Sequence, residues 1–254
     1  MAETLDSVAK ALDVLRLLED GETYGLAEVA KRLGISSSRA HRLLATLEES
    51  SFIRRSADRK YRLTFGGGTA PITGVEISSV IEFAFPIMAR VRDESGETVH
   101  LCLLGGRSIY YLALAESPHM MRTTSHVGKR LPAYSTAVGK CLLAYRPEEE
   151  IIRLYGRGGL PKLTQNTIVD VKTLLEQLRE CRKNGYGRQH SEVEEGIAAL
   201  AVPLFFGSEL PVFSLSVSGP TSRFNPRQRK SLTPVEQKHL ALLHKAAGQI
   251  SAAV

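Results

Sequence analysis

The sequence predicts an α+β chain in two parts: a small helical head ending in a β-hairpin, and a larger domain of mostly antiparallel sheet flanked by helices, with a long helix between them. Three observations lead there. Apolar residues recur at helical spacing over residues 5–47, strict alternation takes over at 99–113 and returns at 197–218, and a glycine- and proline-containing run separates the two regimes at 65–74. A chain of 254 residues is longer than the usual domain of ~100 to 200 residues, which fits two folded parts. With 43% hydrophobic and 24% charged residues it is neither a disordered chain nor a coiled-coil rod.

Several classes drop out early. The longest apolar run, residues 197–206, is interrupted by Pro203 and falls short of the ~18 residues a membrane helix needs. Glu3 and Asp6 near the N-terminus do not suit a secretory signal. The expectation is a cytoplasmic protein without a membrane partner. Cys102, Cys141 and Cys181 are odd in number and far apart, and no CxxC or CxxH pair exists. A disulfide framework and a structural zinc site are therefore not expected.

In the head, Leu5, Val8, Leu12 and Leu15, with Ala11 and Leu18 beside them, describe one amphipathic helix ended by Asp20 and Gly21. Leu26, Val29, Ala30 and Leu33 form a short second helix that stops at Gly34. One of Ser36, Ser37 and Ser38 caps a third helix, whose Ala40, Leu43, Leu44 and Leu47 make a buried stripe and whose Ser38, Arg39, His41, Arg42 and Ala45 face outward. Phe52 and Ile53, a polar turn, then Tyr61 to Leu63 read as a hairpin. Charge sharpens the picture. Residues 1–30 hold two basic residues against seven acidic ones, whereas residues 31–66 hold nine basic against three acidic. A helix, a glycine turn, a second helix with a small and basic outer face, and a basic hairpin form a winged helix-turn-helix pattern, which fits a DNA duplex. Ser36, Ser37, Ser38, Arg39, His41 and Arg42 are the candidate groove contacts, arginine offering a two-toothed fork to guanine. Arg54, Arg55, Lys60 and Arg62 of the wing are candidates for the phosphate backbone.

The head is expected over residues 1–65. Gly66, Gly67, Gly68, Pro71 and Gly74 begin a hinge and linker assigned to 66–95, in which Ile77, Val80, Ile81, Ala84, Ile87, Met88 and Val91 form a helical stripe and Pro86 introduces a kink. That stripe either packs on its own domain or makes a dimer contact. Residues 96–254 make the larger domain. Val99, Leu101 and Leu103, a turn at Gly105-Gly106, then Ile109, Tyr111 and Ala113 form a hairpin. Helices are expected at 137–145, 147–154, 169–183 and 234–252, and strands at 197–206 and 211–218.

No catalytic residue is expected. The chain lacks GxSxG, HExxH, Walker and GxGxxG signatures. His100 and Cys102 share a strand face, so a thiol-dependent enzyme joined to a DNA-binding head is one alternative. A metal sensor or metal-dependent enzyme using His100, Cys102, His126 or His190 is another. No cofactor or metal enters the principal reading. Residues 126–140 run from a loop straight into a helix, where free backbone amides favour an anion and Ala137 and Gly139 leave it room. An ordinary helix cap at Ser135 or Thr136 explains the same residues equally well.

Several segments resemble the IclR family of bacterial transcription regulators: LAEVAKRLGISSSRAHRLLATLEESSFIRR at 26–55, YRL at 61–63, ETVHL at 97–101, GKRLPAYSTAVGKCLLA at 128–144, NGY at 184–186 and SVSGP at 216–220. The resemblance implies a winged head, a linker helix and a GAF-like or profilin-like effector domain, assembled as a homodimer or homotetramer on operator DNA and tuned by a small, acidic or aromatic, metabolite. It implies no catalysis. Carried over to this chain, it implies an effector held by the backbone amides of Ala137 and Val138 and the hydroxyls of Ser216 and Ser218, in a pocket that includes Leu131, Tyr134, Gln189, His190 and Ala199. This chain departs from the pattern where many relatives have an acidic pair, here Gln189 and His190. It also departs at Ala199, where some carry cysteine, and at Gly66 to Gly68 after the wing.

Overall fold

The computed structural model describes residues 6–18, 22–49, 52–56, 58–63, 77–156, 159–207, 209–211, 213–224 and 231–253. Leu5, the stop at Asp20-Gly21 and the hinge at 65–74 lie outside the described residues. The chain divides into two compact units, the first holding α1 to α3 with the hairpin and the second beginning ahead of the long helix.

In the first unit, α1 (Asp6–Leu18), α2 (Leu26–Leu33) and α3 (Ser37–Glu49) surround a core of Val14, Leu18, Tyr24, Val29, Leu44, Leu47, Ile53 and Tyr61. One expectation holds only in part: Ala11, Leu15 and Leu18 pack as expected and Val14 joins them, whereas Val8 and Leu12 are about half exposed. Two apolar stripes overlap on this helix, and the face that meets α3 decides which is buried. Gly34 terminates α2 in the left-handed region at φ +63°, its amide bonding back to Lys31 at 3.3 Å while Ile35 N bonds Ala30 O at 3.0 Å. That doubly bonded stop needs glycine. Gly34→Ala should destabilise the head by ~1 to 2 kcal/mol, read as faster hydrogen exchange in α2 and α3 within the intact chain.

The hairpin pairs β1 (Ile53–Arg55) with β2 (Tyr61–Leu63), Arg54 opposite Arg62. Tyr24 adds a bridge to Tyr61, with backbone bonds of 3.2 and 2.8 Å, and so ties the hairpin to the start of α2.

In the second unit one six-stranded sheet runs β5-β4-β3-β8-β7-β6, made of β3 (Thr98–Gly105), β4 (Ser108–Ala115), β5 (Arg130–Pro132), β6 (Gly187–His190), β7 (Ile197–Leu204) and β8 (Phe213–Pro220). The short strands β5 and β6 were not expected from the sequence. Alternation assigns the two faces. Val99, Leu101, Leu200, Val202, Phe213, Leu215 and Val217 meet α4 (Ile77–Ser95) and α9 (Pro234–Ala253). Cys102, Leu104, Ile109 and Ala201 meet α5 (Ala137–Leu143), α6 (Glu148–Tyr155) and α7 (Val171–Asn184) on the other side. The apolar stripe of α4 is thus consumed inside its own unit: Val80, Ala84 and Met88 are fully buried. The helix continues through Pro86, which sits on its exposed face.

Two ion pairs with buried carboxylates tie elements of this unit together. Glu97, just before β3, is forked by Arg223 of α8 (Thr221–Phe224), and a Cβ at Gly219 would lie 2.2 Å from the Glu97 carboxylate. The ETVHL and SVSGP segments are therefore two halves of one contact. On the α9 side, Arg188 of β6 forks Glu236 at 2.8 and 3.0 Å, and Glu236 also closes a reciprocal cap with Thr233 at 2.9 and 3.2 Å.

Candidate functional site

The first unit presents α3 as an outward helix. Ser36, Ser37, Ser38, His41, Arg42 and Ala45 are exposed, while Ala40, Leu44 and Leu47 hold the helix to the core. Ser36 Oγ accepts from Arg39 N at 3.3 Å and lies 3.3 Å from Ser38 Oγ, so of the three serines it is Ser36 that caps the helix. Arg39 is not simply outward: its guanidinium bonds Asp6 of α1, and that contact holds the Asp6 carboxyl below its ordinary range. Arg42 is the arginine of this face that is exposed and has no ion pair among the described residues.

On the wing, Lys60 and Arg62 are exposed. Arg55 lies over the Tyr61 ring at 5.5 Å, with its amide donating to Glu48 at 3.2 Å. Arg54 lies in β1, and its side chain is outside the described residues. The turn is shaped by Ser56, whose hydroxyl donates to Lys60 O at 2.8 Å, and by Asp58, whose carboxyl is lowered chiefly by its bond from Ser56.

The second unit contains a cavity of about 260 Å³ on the α5 face of the sheet. Serines at alternate positions of β8 supply its floor, Ser216 facing His100 and Ala201 across the neighbouring strands and Ser218 facing Ala199. Leu131, Ala137, Val138, Gln189, Ala199, Ser216 and Ser218 all line it, which brings together seven of the nine residues that the family resemblance implied. The other two do not line it. Tyr134 is buried beneath, its hydroxyl bonding Pro161 O and its ring edge-on to Tyr155 at 5.9 Å. His190 is one residue beyond Gln189 on β6 and so points to the opposite face, its Nε2 lying 3.0 Å from Glu236.

The cavity also uses residues the sequence did not single out for it. His100, Tyr111 and Ile109 come from β3 and β4, and Thr123, Ser125 and Lys129 from the connection between β4 and β5. Phase was the available signal: His100 and Cys102 share a face with the β8 serines, because β3 pairs directly with β8. His100 stacks on Tyr111 with ring centres 4.6 Å apart. Burial, assisted by Lys129, lowers the imidazole to about 4, and burial raises the Cys102 thiol well above its usual range. A neutral imidazole beside a protonated thiol is the wrong pairing for thiolate chemistry. Among the described residues no three His, Cys, Asp or Glu side chains group as a metal site.

Four side-chain atoms lining the cavity are buried without a hydrogen-bond partner: His100 Nε2, Thr123 Oγ1, Ser125 Oγ and Ser218 Oγ. At the α5 wall, Thr136 caps the helix by accepting from Gly139 N at 2.9 Å, leaving Ala137 and Val138 as the first two residues facing the space. Behind that wall, Lys140 is buried and bonds Glu192 at 2.6 Å and Gln177 at 3.0 Å. Gln189 joins the two regions, accepting from Glu192 N at 3.0 Å.

Comparison with known proteins agrees with both units. Residues 7–57 match the IclR helix-turn-helix domain, and residues 73–252 match the bacterial transcriptional regulator IclR C-terminal domain. The chain is 32% identical to the HTH-type transcriptional regulator KdgR of Escherichia coli, over 98% of this chain and 93% of that one. It is 29% identical to the transcriptional repressor IclR of the same organism, over 86% and 81%. An IclR transcriptional regulator from Alicyclobacillus acidocaldarius has a crystal structure similar to this one, with a TM-score of 0.61 and 31% identity over 99% of both chains. The C-terminal domain of E. coli KdgR gives 0.59 at 35% identity, over 69% of this chain and 98% of that one. No helix among the described residues is long and apolar enough to cross a membrane. With a helix-turn-helix unit and a C-terminal domain that both match, in the order the motifs required, the chain belongs to the IclR family of bacterial transcriptional regulators.

Proposed function

We propose that this regulator binds operator DNA through α3 and the hairpin and is switched by a small acidic or aromatic metabolite in the cavity beside β8. It acts in the cytoplasm as a homodimer or homotetramer, with residues 1–65 as the DNA-binding domain, 66–95 as the connection and 96–254 as the effector domain. It needs neither cofactor nor catalysis. The observation that carries the effector reading is the set of four unpartnered atoms around one cavity. An unsatisfied buried polar group costs ~1 to 3 kcal/mol, so a polar molecule that bonds several of them at once is favoured there. Lys129 at the rim favours an acid, while His100, kept neutral, serves as a hydrogen-bonding group rather than a counter-charge.

Small carboxylates and aromatic acids screened by thermal shift test this directly. Ser216→Ala combined with Gln189→Ala should abolish the shift produced by a hit and leave operator binding intact; a retained shift would put the ligand elsewhere. To switch DNA binding the effector must favour one arrangement of the chain over another, and a coupling of ~1 to 3 kcal/mol corresponds to roughly 5- to 150-fold in operator affinity.

For the head, Arg42→Ala should cost ~1 to 3 kcal/mol and relax preference at one base, whereas Lys60→Ala should mainly flatten the salt dependence. Gel-shift titrations at several salt concentrations separate the two. Unchanged affinity and base preference in Arg42→Ala would remove α3 from the groove.

A further inference from the structure

A second cavity, of about 370 Å³, opens at the edge strand β6 against the C-terminal half of α7. Among the described residues, Gln189 alone lines both cavities. Elsewhere the walls differ in kind. The second cavity is bounded by Gln177, Glu180 and Asn184 of α7, by Lys140, and by His190 and Glu192. Two of its buried atoms have no hydrogen-bond partner, Glu192 Oε2 and His190 Nδ1, and Glu192 is only 8% exposed.

Those two atoms define the chemistry. Glu192 Oε2 is a carboxylate oxygen whose sister atom is taken by Lys140 at 2.6 Å. His190 Nε2 lies 3.0 Å from both Glu236 Oε1 and Arg188 Nε, one an acceptor and the other a donor, so according to the ring tautomer Nδ1 donates to a ligand or accepts from it. The cations nearby are already engaged, Lys140 by Glu192 and Arg188 by Glu236. A cationic ligand would meet the Lys140 ammonium, and an anionic one would meet Glu180 and the free oxygen of Glu192. What fits is an uncharged molecule rich in hydroxyl donors. The volume falls in the ~300 to 1,000 Å³ range of small-molecule sites.

We propose that the cavity between β6 and α7 is a second ligand site, taking a small neutral polyhydroxyl molecule, an alditol or monosaccharide, one of whose hydroxyls donates to Glu192 Oε2 while another, able to donate or accept, pairs with His190 Nδ1. This site is separate from the cavity beside β8 and does not depend on what that cavity binds.

Xylitol and glucose are the probes, titrated into the full-length protein with calorimetry and NMR of the histidine rings. The expected result is saturable binding of at least one probe, with the His190 ring resonances moving and those of His100 still. Asn184→Trp, which fills the mouth from an exposed position, and His190→Phe, which removes Nδ1, should each weaken binding about tenfold or more, roughly the value of one hydrogen bond to a charged or buried group. Ser218→Ala, which alters only the first cavity, should leave it unchanged. No saturable binding would mean that solvent alone fills the space. Binding that persists in Asn184→Trp, that is lost in Ser218→Ala, or that moves His100 rather than His190 would each overturn the proposal. The ring measurement on the unaltered protein holds even where a variant folds poorly.

Discussion

Glu236→Ala should cost the second unit ~3 to 5 kcal/mol, the usual penalty for removing one partner of a buried pair. Glu236 is fully buried and serves four groups: both teeth of Arg188, the His190 ring and the amide of Thr233. Its removal takes away both bonds by which Arg188 is held to α9 and opens the first turn of that helix. Burial alone would raise the Glu236 carboxyl, but the His190 ring, the Thr233 amide and Arg188 together outweigh it and hold the group below its ordinary range. A carboxyl lowered in the folded state contributes stability that is complete above the ordinary glutamate range and is lost as pH falls through the folded value. Urea unfolding at a series of pH values should therefore show an acid limb in the unaltered protein that Glu236→Gln flattens. An identical acid limb in both would place the linkage on other carboxyls.

Gly139→Ala should be nearly as damaging, by ~3 kcal/mol, the upper end of the ordinary cost of overpacking. A Cβ at residue 139 would lie 2.1 Å from the Ala133 carbonyl oxygen and 2.3 Å from its Cα, and neither backbone atom can move aside as a flexible side chain could. Gly187 is pinched the same way, 2.1 Å from Ala137 O and 2.9 Å from Cys141 Cβ. The two glycines let α5 sit directly on the turn before it and on β6, which sets the wall formed by Ala137 and Val138. Denaturation midpoints measure the loss of stability, and the effector-induced thermal shift should vanish at temperatures where the variant is still folded. A Gly139→Ala protein with full stability would contradict the close approach.

How much of this was readable beforehand varied with the kind of information. The helix-turn-helix was legible because its signals are local: a left-handed stop at Gly34, a serine cap at Ser36 and an i, i+4, i+7 stripe through Ala40, Leu44 and Leu47. In α1 the same kind of reasoning found Ala11, Leu15 and Leu18 but not Val14, and it did not separate them from Val8 and Leu12, which also obey helical spacing yet stay half exposed because the neighbouring elements cover the other face. The effector cavity was half legible. Ser216 and Ser218 alternate with Leu215 and Val217, so their common face is visible in the letters. That His100 belongs to that face depends on the pairing of β3 with β8, strands separated by more than a hundred residues.

His190 shows the boundary most clearly. Its place next to Gln189 made both look like ligand contacts, yet a strand turns successive side chains to opposite faces, and His190 went to Glu236 and the second cavity. By itself the sequence determined the family, the order of the two units, most helices and strands, and the outward basic face of the head. Those follow from short-range periodicity, capping and turn chemistry, which act over a few residues. Only the tertiary structure decided which of two stripes is buried, which arginine of α3 is tied to Asp6, and which polar atoms converge without partners. Such outcomes depend on strand neighbours and helix contacts between residues far apart in the chain, and no local pattern encodes them.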